Sequence, residues 1–483
     1  MNTYIAVDIG ASSGRLVKSS LIDGKIQMEE IYRFKNGFSF KNNHERWDID
    51  YLTTEILKGL SVAKKQGLTH CYLGIDTWAV DYCLLDEQGQ LIDQPISYRD
   101  ARTNEGLQSF SQKMSLEKLY EKTGIQIQPF NTIFQLFVEE KERLEQAKTL
   151  LLIPDYLGYV FTGKKVTEKT NASTMQLLNA NTQTWDEELL ELIQVDATLF
   201  PPLVEAGTVL GELLIDKFPE HDLPAVTIIN VASHDTASAV LGTPGYGENW
   251  AYISSGTWSL LGIETTIPNV SLEAFHANYT NEWGAHNTIR FLKNIMGMWL
   301  IQEVARMQDY QYSYAQLAEL AANEAAFQQF IDVNDPRFLN PVNMIKELQA
   351  YCQETNQVVP VTPGELARCV YDNLALCYAT ELKQLEKLSG TEDKIETLHI
   401  VGGGSNNRFL NQLTANATQT TVIAGPGEAT AIGNLVMQML SVGEFSTVEA
   451  ARKAIENSFT CETYEPEAFE ASIFVNYLKT MQR

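Results

Sequence analysis

Two short segments of small residues are the clearest candidates for binding phosphate. Residues 10–14 read Gly-Ala-Ser-Ser-Gly, and residues 255–257 read Ser-Gly-Thr. Phosphate oxygens accept several hydrogen bonds at once, and small residues let backbone N–H groups approach them, with Ser12, Ser13 and Thr257 adding hydroxyls. A hairpin turn without a ligand explains either segment alone. Two such turns, one in each half of the chain, favour a bound nucleotide. It would not be held by a Walker A loop, since GxxxxGK followed by Ser or Thr is absent.

A third point of backbone access is Gly402-Gly403-Gly404, which follows an apolar run and precedes a helical pattern. A plain strand-to-helix turn and an element that lies along the adenosine part of a nucleotide both fit it.

Three carboxylates stand at or just past the ends of apolar runs. Asp8 follows Ile5-Ala6-Val7, Asp76 follows a run from residue 72, and Asp235 comes shortly after residues 228–231. Carboxylates at strand ends sit at the rim of a sheet, where one is suited to hold Mg²⁺ and another to accept a proton. Helix N-capping is the alternative for each, and it fits Asp235 best.

Two further polar residues have two readings each. For His234, beside Asp235, the alternatives are a catalytic base and a hydrogen-bonding or packing residue. We favour contact with a substrate over proton transfer. Asn294 contacts the same substrate or only caps a predicted helix over 295–307.

The elements that position these residues in the first half follow from periodicity and turn signals. Asp23-Gly24 is a tight-turn pair, and Asp48 is placed to cap a helix that Gly67 ends. The pattern predicts strands at 3–9, 15–17 and 26–34, a helix to about residue 66, a strand at 71–75, and a hairpin over 82–92 turning at 88–89.

The second half repeats the motif of strand, small-residue turn and strand, which indicates a weak internal duplication. Thr362-Pro363-Gly364-Glu365 is a capping box with proline at N1, and Gly390 ends the helix that it starts. The pattern predicts strands at 250–254, 258–264, 397–401 and 420–424, a helix from about 408, and a last amphipathic helix after 425–428. The breaker-rich segment 242–248 is the predicted boundary between two lobes.

Composition excludes several classes of partner. The chain has 483 residues with 36 basic and 61 acidic side chains, a formal charge of −25. Such a surface repels nucleic acid and anionic lipid. No run of apolar residues is long enough for a membrane helix, and the N-terminal segment does not resemble a signal peptide, so we expect a cytoplasmic protein.

The six cysteines form no CxxC pair and no spacing typical of a metal site. Free thiols in a reducing compartment are the first interpretation. A bridge between Cys352 and Cys369 is the alternative, because the two residues flank a proline-containing connector.

Taken in order, six motifs resemble those of the FGGY carbohydrate kinases over essentially the full length. Four of them also resemble the branch of that family that acts on L-rhamnulose. The motifs are Val7-Asp8-Ile9-Gly10-Ala11-Ser12-Ser13-Gly14-Arg15, Gly74-Ile75-Asp76-Thr77-Trp78-Ala79-Val80-Asp81, Ala232-Ser233-His234-Asp235-Thr236-Ala237-Ser238-Ala239-Val240, Ser254-Ser255-Gly256-Thr257-Trp258-Ser259, Lys293-Asn294-Ile295-Met296-Gly297, and Ile400-Val401-Gly402-Gly403-Gly404.

The resemblance implies an α/β fold of the two-lobed actin-like ATPase (ribonuclease-H-like) type with an interlobe cleft. Residues 1–243 would form an N-terminal sugar-binding lobe and residues 244–483 a C-terminal nucleotide-binding lobe. It implies transfer of the γ-phosphoryl group of ATP to O1 of L-rhamnulose, with Asp235 as general base and Asp8 holding Mg²⁺.

The same resemblance assigns the remaining contacts residue by residue. It implies nucleotide contacts from Ala11, Ser12, Ser13, Gly14, Arg15, Thr257, Gln302 and Gly402, and sugar contacts from Ala79, His234, Asp235, Thr236 and Asn294. Two positions depart from the family pattern: Ala79 stands where relatives often have Gly, and Tyr98 where many have Trp.

Three alternatives stay open at this point. The nearest is a kinase of the same family for fuculose, xylulose or glycerol. The second is an actin-like ATPase that is not a kinase, against which the absence of an appended peptide-binding domain argues. The third is a sugar-binding regulator without activity, which retention of both small-residue turns and Asp235 disfavours.

Overall fold

A computed structural model describes residues 2–390 and 394–481. Its strands are β1 Tyr4–Ile9, β2 Ser13–Ile22, β3 Lys25–Lys35, β4 Phe38–Lys41, β5 His44–Trp47, β6 His70–Thr77, β7 Tyr82–Leu85, β8 Thr149–Leu152, β9 Thr167–Glu168, β10 Leu203–Val204, β11 Val209–Glu212, β12 Ala225–Ile229, β13 Trp250–Ser255, β14 Trp258–Thr265, β15 Tyr279–Trp283, β16 Ile289–Met296, β17 Thr397–Val401, β18 Thr421–Ala424 and β19 Glu462–Tyr464.

The helices are α1 Ile49–Lys65, α2 Gly106–Ser111, α3 Leu116–Thr123, α4 Thr132–Phe137, α5 Lys141–Gln146, α6 Ile153–Thr162, α7 Lys169–Ala172, α8 Glu187–Leu192, α9 Asp235–Leu241, α10 Leu272–His276, α11 Trp299–Met307, α12 Tyr314–Ala322, α13 Met344–Glu354, α14 Pro363–Ser389, α15 Arg408–Thr418, α16 Ala429–Ser441, α17 Val448–Ser458 and α18 Ala471–Met481. Within the described part of the chain, none of them has the length and apolarity needed to span a membrane.

The chain forms two compact units, and neither is one continuous segment. Unit 1 comprises Met1–Gly242, Glu264–Phe291 and Ala429–Ser458, and unit 2 comprises Thr243–Ile263, Leu292–Glu428 and Phe459–Arg483. The roles predicted for residues 1–243 and 244–483 stay predictions.

Unit 1 is built on a six-stranded sheet in the order β11-β12-β6-β1-β2-β3. β1, β6 and β12 are parallel, β2 is antiparallel to β1, and β3 is antiparallel to β2. β1 is buried on both faces, with Ile5 and Val7 on one face and Tyr4 and Ala6 on the other all 0% exposed, as its continuous apolar run requires. The turn at Asp23-Gly24 has positive φ at both residues, the geometry that such a pair favours.

Two helices of unit 1 matter for the site. α9 and α16 pack so closely that a Cβ on Gly433 would collide with the backbone of Ser238. α16 also packs against β1 and β6. α16 therefore supports both the parallel strands and the helix that begins at Asp235.

Unit 2 contains the strand order β14-β13-β17-β18-β19, in which β13, β17 and β18 are parallel. The two units share a pattern. The first strand of the β1–β2 hairpin pairs in parallel with β6, and the first strand of the β13–β14 hairpin pairs in parallel with β17, in each case after a long connection. The 27-residue α14 begins with the predicted capping box at Thr362 and Glu365 and ends at Gly390 in the left-handed conformation.

The predicted hairpin over 82–92 forms: Leu85 and Leu91 pair across it, Ile92 N donates to the carbonyl of Leu84 at 3.0 Å, and Asp86 N donates to that of Gln90 at 2.9 Å. The other edge of β7 pairs with the distant β8, which was not predicted. Two predicted elements are wrong. The predicted helix over 295–307 begins at Trp299, since residues 289–296 form a strand. α16 is not the last helix, because α17 and α18 follow it.

The six cysteines are free thiols in the structure. Cys352 and Cys369 are hydrogen-bonded neighbours, which lowers the pKa of the Cys352 thiol and raises that of Cys369 well above its usual range.

Candidate active site

The three carboxylates singled out in the sequence gather at one edge of the unit 1 sheet. Asp8 and Asp76 are partners in register on the parallel strands β1 and β6. β12 runs parallel to β6, and His234, just before Asp235, forms a bridge with Thr77. Burial raises the pKa of Asp76 well above its usual range, and the charges of Asp8 and Asp235 raise it further. Both effects favour the neutral form of Asp76 over the ionised one.

Asp8 is paired with Arg15 across the β1–β2 hairpin. The Nε and Nη2 atoms of Arg15 donate to Asp8 Oδ2 at 3.0 and 2.9 Å. This pair is mostly buried, with 16% and 14% of the two side chains exposed. Because Arg15 neutralises one oxygen of Asp8, the predicted metal ligand and the predicted phosphate contact form a single ion pair.

The small-residue turn between β1 and β2 is braced by a residue that sequence reasoning missed. Asn36 Nδ2 donates to the carbonyl of Gly10 at 2.8 Å, and Asn36 N donates to that of Ser12 at 2.9 Å. Gly14 is required here because the ring of Phe34 lies where a Cβ would be. Ser12 is exposed, so the turn presents its backbone at the surface of unit 1. An Asn-Gly pair ending a predicted strand is the only sequence signal for Asn36.

A second missed contact supports Asp76 from α16. Asn434 Nδ2 donates to Asp76 Oδ2 at 2.5 Å, and Gln438 Nε2 donates to Asn434 Oδ1 at 2.8 Å. Gln438 also reaches the carbonyl of Ile5 in β1 at 2.9 Å. Asn and Gln four residues apart on a predicted helix were the available signal, but nothing local linked them to Asp76.

Asp235 is the first residue of α9 and does not cap it. The N-cap position belongs to His234, whose side chain makes no capping hydrogen bond. The capping interpretation of Asp235 is therefore wrong. Its Oδ1 accepts a hydrogen bond from Thr236 Oγ1 at 3.2 Å and lies 3.5 Å from His234 Nε2. The side chain is 36% exposed, which leaves the carboxylate accessible to a ligand.

Ser233, the residue before His234, is held by hydrogen bonds at three of its atoms. Glu168 Oε2 accepts hydrogen bonds from Ser233 N at 3.1 Å and from Ser233 Oγ at 2.7 Å. The carbonyl of Ser233 accepts one from Thr77 N at 2.9 Å. Glu168 is fully buried, and burial raises its pKa. Glu168 was missed because its partner lies 65 positions away along the chain.

Ala79 lies in a strained turn just beyond β6. Asp81 N donates to the carbonyl of Ala79 at 2.9 Å across Val80, whose φ is 66°. Positive φ is costly for a β-branched residue and persists only where neighbours enforce it. Thr132 Oγ1 and Gln135 Nε2 do so by donating to the carbonyl of Val80 at 2.6 and 3.3 Å. The backbone at Ala79 is thereby set in one orientation.

Asp81 organises an aromatic cluster beside this turn. Its Oδ2 accepts hydrogen bonds from Trp47 Nε1 at 2.6 Å, Trp78 Nε1 at 2.9 Å and Tyr98 N at 3.1 Å. The rings of Trp47 and Trp78 lie 4.1 Å apart. Burial raises the pKa of Asp81 to about 6, although these donors and that of Gln135 oppose the shift. Tyr98, one of the departures from the family pattern, is part of this cluster.

Unit 2 contains the second small-residue turn and the start of α11 in direct contact. Met298 N donates to the carbonyl of Gly256 at 3.2 Å, and Trp299 N to that of Thr257 at 3.0 Å. Gln302 lies one turn further along α11, with its backbone N–H bonded to Met298. The turn that carries Thr257 and the first turn of α11, which carries Gln302, are therefore adjacent.

Gly402 directly follows β17 and lies beside Ser255, at the start of this small-residue turn. Its φ of 81° and ψ of −172° belong to a region that only glycine adopts readily. A Cβ on Gly402 would lie 2.9 Å from the carbonyl oxygen of Ser255. Three predicted nucleotide contacts, Thr257, Gln302 and Gly402, thus lie on adjoining segments of unit 2, whereas residues 11–15 belong to unit 1.

Asn294 lies on β16 rather than before a helix, so its capping interpretation is wrong. It belongs to unit 2, whereas the other predicted sugar contacts, Ala79, His234, Asp235 and Thr236, belong to unit 1. Among the described residues, no group of three or more His, Cys, Asp and Glu side chains forms a ready metal site.

Two family models cover most of this chain. The FGGY family of carbohydrate kinases, N-terminal domain, matches residues 3–242, and the corresponding C-terminal domain matches residues 251–442. The chain belongs to the FGGY family of carbohydrate kinases. The predicted family is thus confirmed, and membership makes the protein an ATP-dependent sugar kinase.

Curated relatives in this family match along the whole chain. A rhamnulokinase from Enterococcus faecalis is 66% identical over 482 residues, covering 100% of this chain and 98% of the relative. A rhamnulokinase from Bacillus subtilis is 53% identical over 472 residues, covering 98% and 97%. One from Bacteroides thetaiotaomicron is 42% identical over 471 residues, covering 97% and 96%.

Solved structures of the family share the fold. A ligand-bound xylulose kinase from Lactobacillus acidophilus superposes with a TM-score of 0.80 at 16% identity, covering 100% of this chain and 96% of that one. A Plasmodium falciparum glycerol kinase with ADP gives 0.81 at 14% identity, covering 100% and 98%. The predicted actin-like α/β fold with two domains is confirmed.

Proposed function

We propose that this FGGY kinase transfers the γ-phosphoryl group of ATP to O1 of L-rhamnulose, giving L-rhamnulose 1-phosphate in the breakdown of rhamnose. The observation that carries the proposal is full-length identity of 66% to a relative named rhamnulokinase. The same name recurs among relatives at 53% and 42% identity. Because transfer requires ATP, the proposed location is the cytoplasm.

Asp235 is the proposed general base. Its Oδ1 is engaged by Thr236, and Oδ2 makes no hydrogen bond among the residues that the structure describes. The sugar hydroxyl oxygen attacks the γ-phosphorus, the bond to the β,γ-bridging oxygen breaks, and the hydroxyl proton passes to Oδ2. An ordinary carboxylate suffices when the transition state is loose and the proton leaves late.

Phosphate binding is assigned to backbone N–H groups rather than to a basic pocket. In unit 1, residues 11–15 offer the exposed turn that Asn36 braces. In unit 2, Thr257 offers a hydroxyl, with Gln302 and Gly402 nearby for the rest of the nucleotide. This suits a chain with a charge of −25, because oriented N–H dipoles attract an anion without adding basic residues.

Mg²⁺ is the proposed ion, held by Asp8 directly or through water. Mg²⁺ prefers hard oxygen ligands and needs only one or two carboxylates when it also binds substrate phosphates. Asp8 and Asp76 lie opposite each other in register, and Asp76 Oδ1 is buried without a hydrogen bond among the described residues. The donor set therefore fits. Bound Mg²⁺ would supply neutralisation of phosphate charge, while Arg15 keeps Asp8 in place.

The proposed sugar contacts are Ala79, His234, Asp235, Thr236 and Asn294. The first four lie in the proposed sugar-binding segment 1–243, and Asn294 lies in the proposed nucleotide-binding segment 244–483. The strained turn at Val80 fixes the backbone beside Ala79. A position fixed by backbone tolerates Ala in place of Gly, which makes this departure from the family pattern a mild one.

An assay that couples ADP release to NADH oxidation tests the substrate directly. Purified protein is compared on L-rhamnulose, L-fuculose, D-xylulose and glycerol at saturating MgATP, with Asp235→Asn as the control for background hydrolysis. The expected result is the highest kcat/KM on L-rhamnulose. A higher kcat/KM on any of the other three would overturn the substrate assignment.

A further inference from the structure

His234 is contacted by a buried ion pair on the side of its ring away from Asp235. Nδ1 lies 3.1 Å from Arg290 Nη2 and 3.3 Å from Glu282 Oε2. The ion pair itself spans 3.0 Å between Arg290 Nη2 and Glu282 Oε2. The other ring nitrogen, Nε2, lies 3.5 Å from Asp235 Oδ1. All four side chains belong to unit 1.

Arg290 is fully buried. Its side chain is 0% exposed, and its Nε donates to the carbonyl of Trp283 at 3.2 Å. Although burial opposes ionisation of Glu282, the charge of Arg290 and the neighbouring His234 lower the pKa of that carboxyl. A buried ion pair stabilises a fold no better than well-packed apolar residues of the same volume, so stability alone does not account for one placed against His234.

The hydrogen-bond geometry distinguishes the two partners of Nδ1. Arg290 Nη2 is aligned for a hydrogen bond with Nδ1, whereas Glu282 Oε2 is aligned for none among the described residues. A guanidinium donates and never accepts. Nδ1 must therefore accept, and the neutral ring carries its proton on Nε2, which faces Asp235.

We infer that Arg290, held by Glu282, is a positioning residue that fixes His234 as the Nε2–H tautomer, so that the ring is a hydrogen-bond donor beside the base. The inference deepens the proposed function and rests on it for the identity of the ligand. His234 then donates to an oxygen acceptor of the sugar, while Asp235 accepts from the hydroxyl that reacts.

This arrangement defines a class of substrate. Thr236 Oγ1 donates to Asp235 Oδ1, which leaves Oδ2 for the reacting hydroxyl, and His234 Nε2 lies 3.5 Å from Oδ1, where its proton is available to a second oxygen of the substrate. With His234 Nε2 as the donor and Asp235 Oδ2 as the acceptor, the site matches a substrate whose reacting hydroxyl is on a carbon next to a second carbon that bears an oxygen. The O1 hydroxyl and C2 oxygen of a 2-ketose form such a pair.

Nitrogen-15 NMR of histidine-labelled wild-type protein tests the tautomer without any turnover. The unprotonated ring nitrogen resonates far downfield of the protonated one, and His234→Asn identifies the signal. The expected result is an unprotonated Nδ1 and a protonated Nε2. A protonated Nδ1, which would mean that Glu282 is the acceptor, overturns the inference.

Variants separate the two members of the pair. Arg290→Met removes the donor to Nδ1 and leaves Glu282, so we expect the proton to move to Nδ1 and KM for the sugar to rise about 10-fold, while KM for ATP stays within about twofold. Glu282→Gln leaves Arg290 as the donor, so the wild-type tautomer should persist. A tautomer that is unchanged in Arg290→Met, or switched in Glu282→Gln, contradicts the inference.

Arg452→Met is the matched control for loss of a buried cation. Arg452 pairs with Glu264 in the same unit, and 10% of its side chain is exposed. It should lower the melting temperature without changing the His234 signals. Arg290→Lys keeps a charge for Glu282 and a donor for Nδ1, so it should restore the wild-type tautomer; failure to do so counts against the assignment. The NMR result stands even where L-rhamnulose proves not to be the substrate, so failure of the proposed function would be recognised separately.

Discussion

Glu168→Gln tests whether a buried carboxylate holds the segment that carries Asp235. Glu168 Oε2 accepts hydrogen bonds from Ser233 N, Ser233 Oγ and Thr170 Oγ1 at 3.1, 2.7 and 2.7 Å. Its Oε1 accepts one from Thr170 N at 2.9 Å. Because donors face both carboxylate oxygens, the NH₂ group of a glutamine would face at least one donor in either orientation of the side-chain amide.

The expected loss follows from these contacts. One buried donor left without a partner costs about 1–3 kcal/mol, and the remaining bonds lose their charge assistance, so we expect a destabilisation of about 2–4 kcal/mol. That corresponds to a fall of roughly 4–10 °C in melting temperature. Asp235 lies two positions after Ser233, and a displacement of about 1 Å lowers a rate on the order of 10²-fold, so kcat should fall about 10–100-fold.

Differential scanning fluorimetry and the coupled kinase assay measure the two effects on one preparation. Glu205→Gln is the matched control, since Glu205 pairs with the neighbouring Lys169 at the surface with 47% of its side chain exposed. It should change stability by less than about 1 kcal/mol. A Glu168→Gln protein with wild-type kcat refutes the positioning role, even where the melting temperature falls.

Three further predictions concern other parts of the site. Asp235→Asn should lower kcat about 10²–10⁴-fold with an unchanged melting temperature, and near-normal turnover would remove Asp235 from the role of base. Since the pKa of Asp76 is raised, its neutral form stabilises the fold at low pH and this contribution is lost as pH rises above about 4. Asp76→Asn should therefore gain melting temperature relative to wild type between pH 5 and pH 8, and a difference independent of pH contradicts the reasoning. Gly402→Ala should raise KM for ATP about 10-fold or more through backbone strain, whereas Gly403→Ala, where a Cβ meets no described atom within 4 Å, should not; equal effects would refute it.

Local signals predicted the parts of the fold that depend on neighbouring residues. The cap at Asp48, the turn at Asp23-Gly24 and the capping box at Thr362 each form because the chemistry lies within a few positions. The pairing of β7 with β8 was missed for the opposite reason: β8 begins at Thr149, and no local pattern indicates a pairing at that distance.

The candidate site divides in the same way. Asp8, Asp76 and Asp235 were recognised because a carboxylate at the end of an apolar run is visible in the sequence. Their distant neighbours were not, since Asn434 reaches Asp76 from 358 positions away and Arg290 reaches His234, beside Asp235, from 56. Their chemistry arises only when the sheet, α9 and α16 are assembled.

Identification of the reaction product tests the central claim most directly. Purified protein is incubated with L-rhamnulose and MgATP, and the product is analysed by ¹H–³¹P correlation NMR beside a measurement of ADP. We predict one L-rhamnulose 1-phosphate for each ADP, with the phosphorus coupled to the protons on C1. ADP without a sugar phosphate, or phosphorus coupled to any other carbon position, would contradict the account.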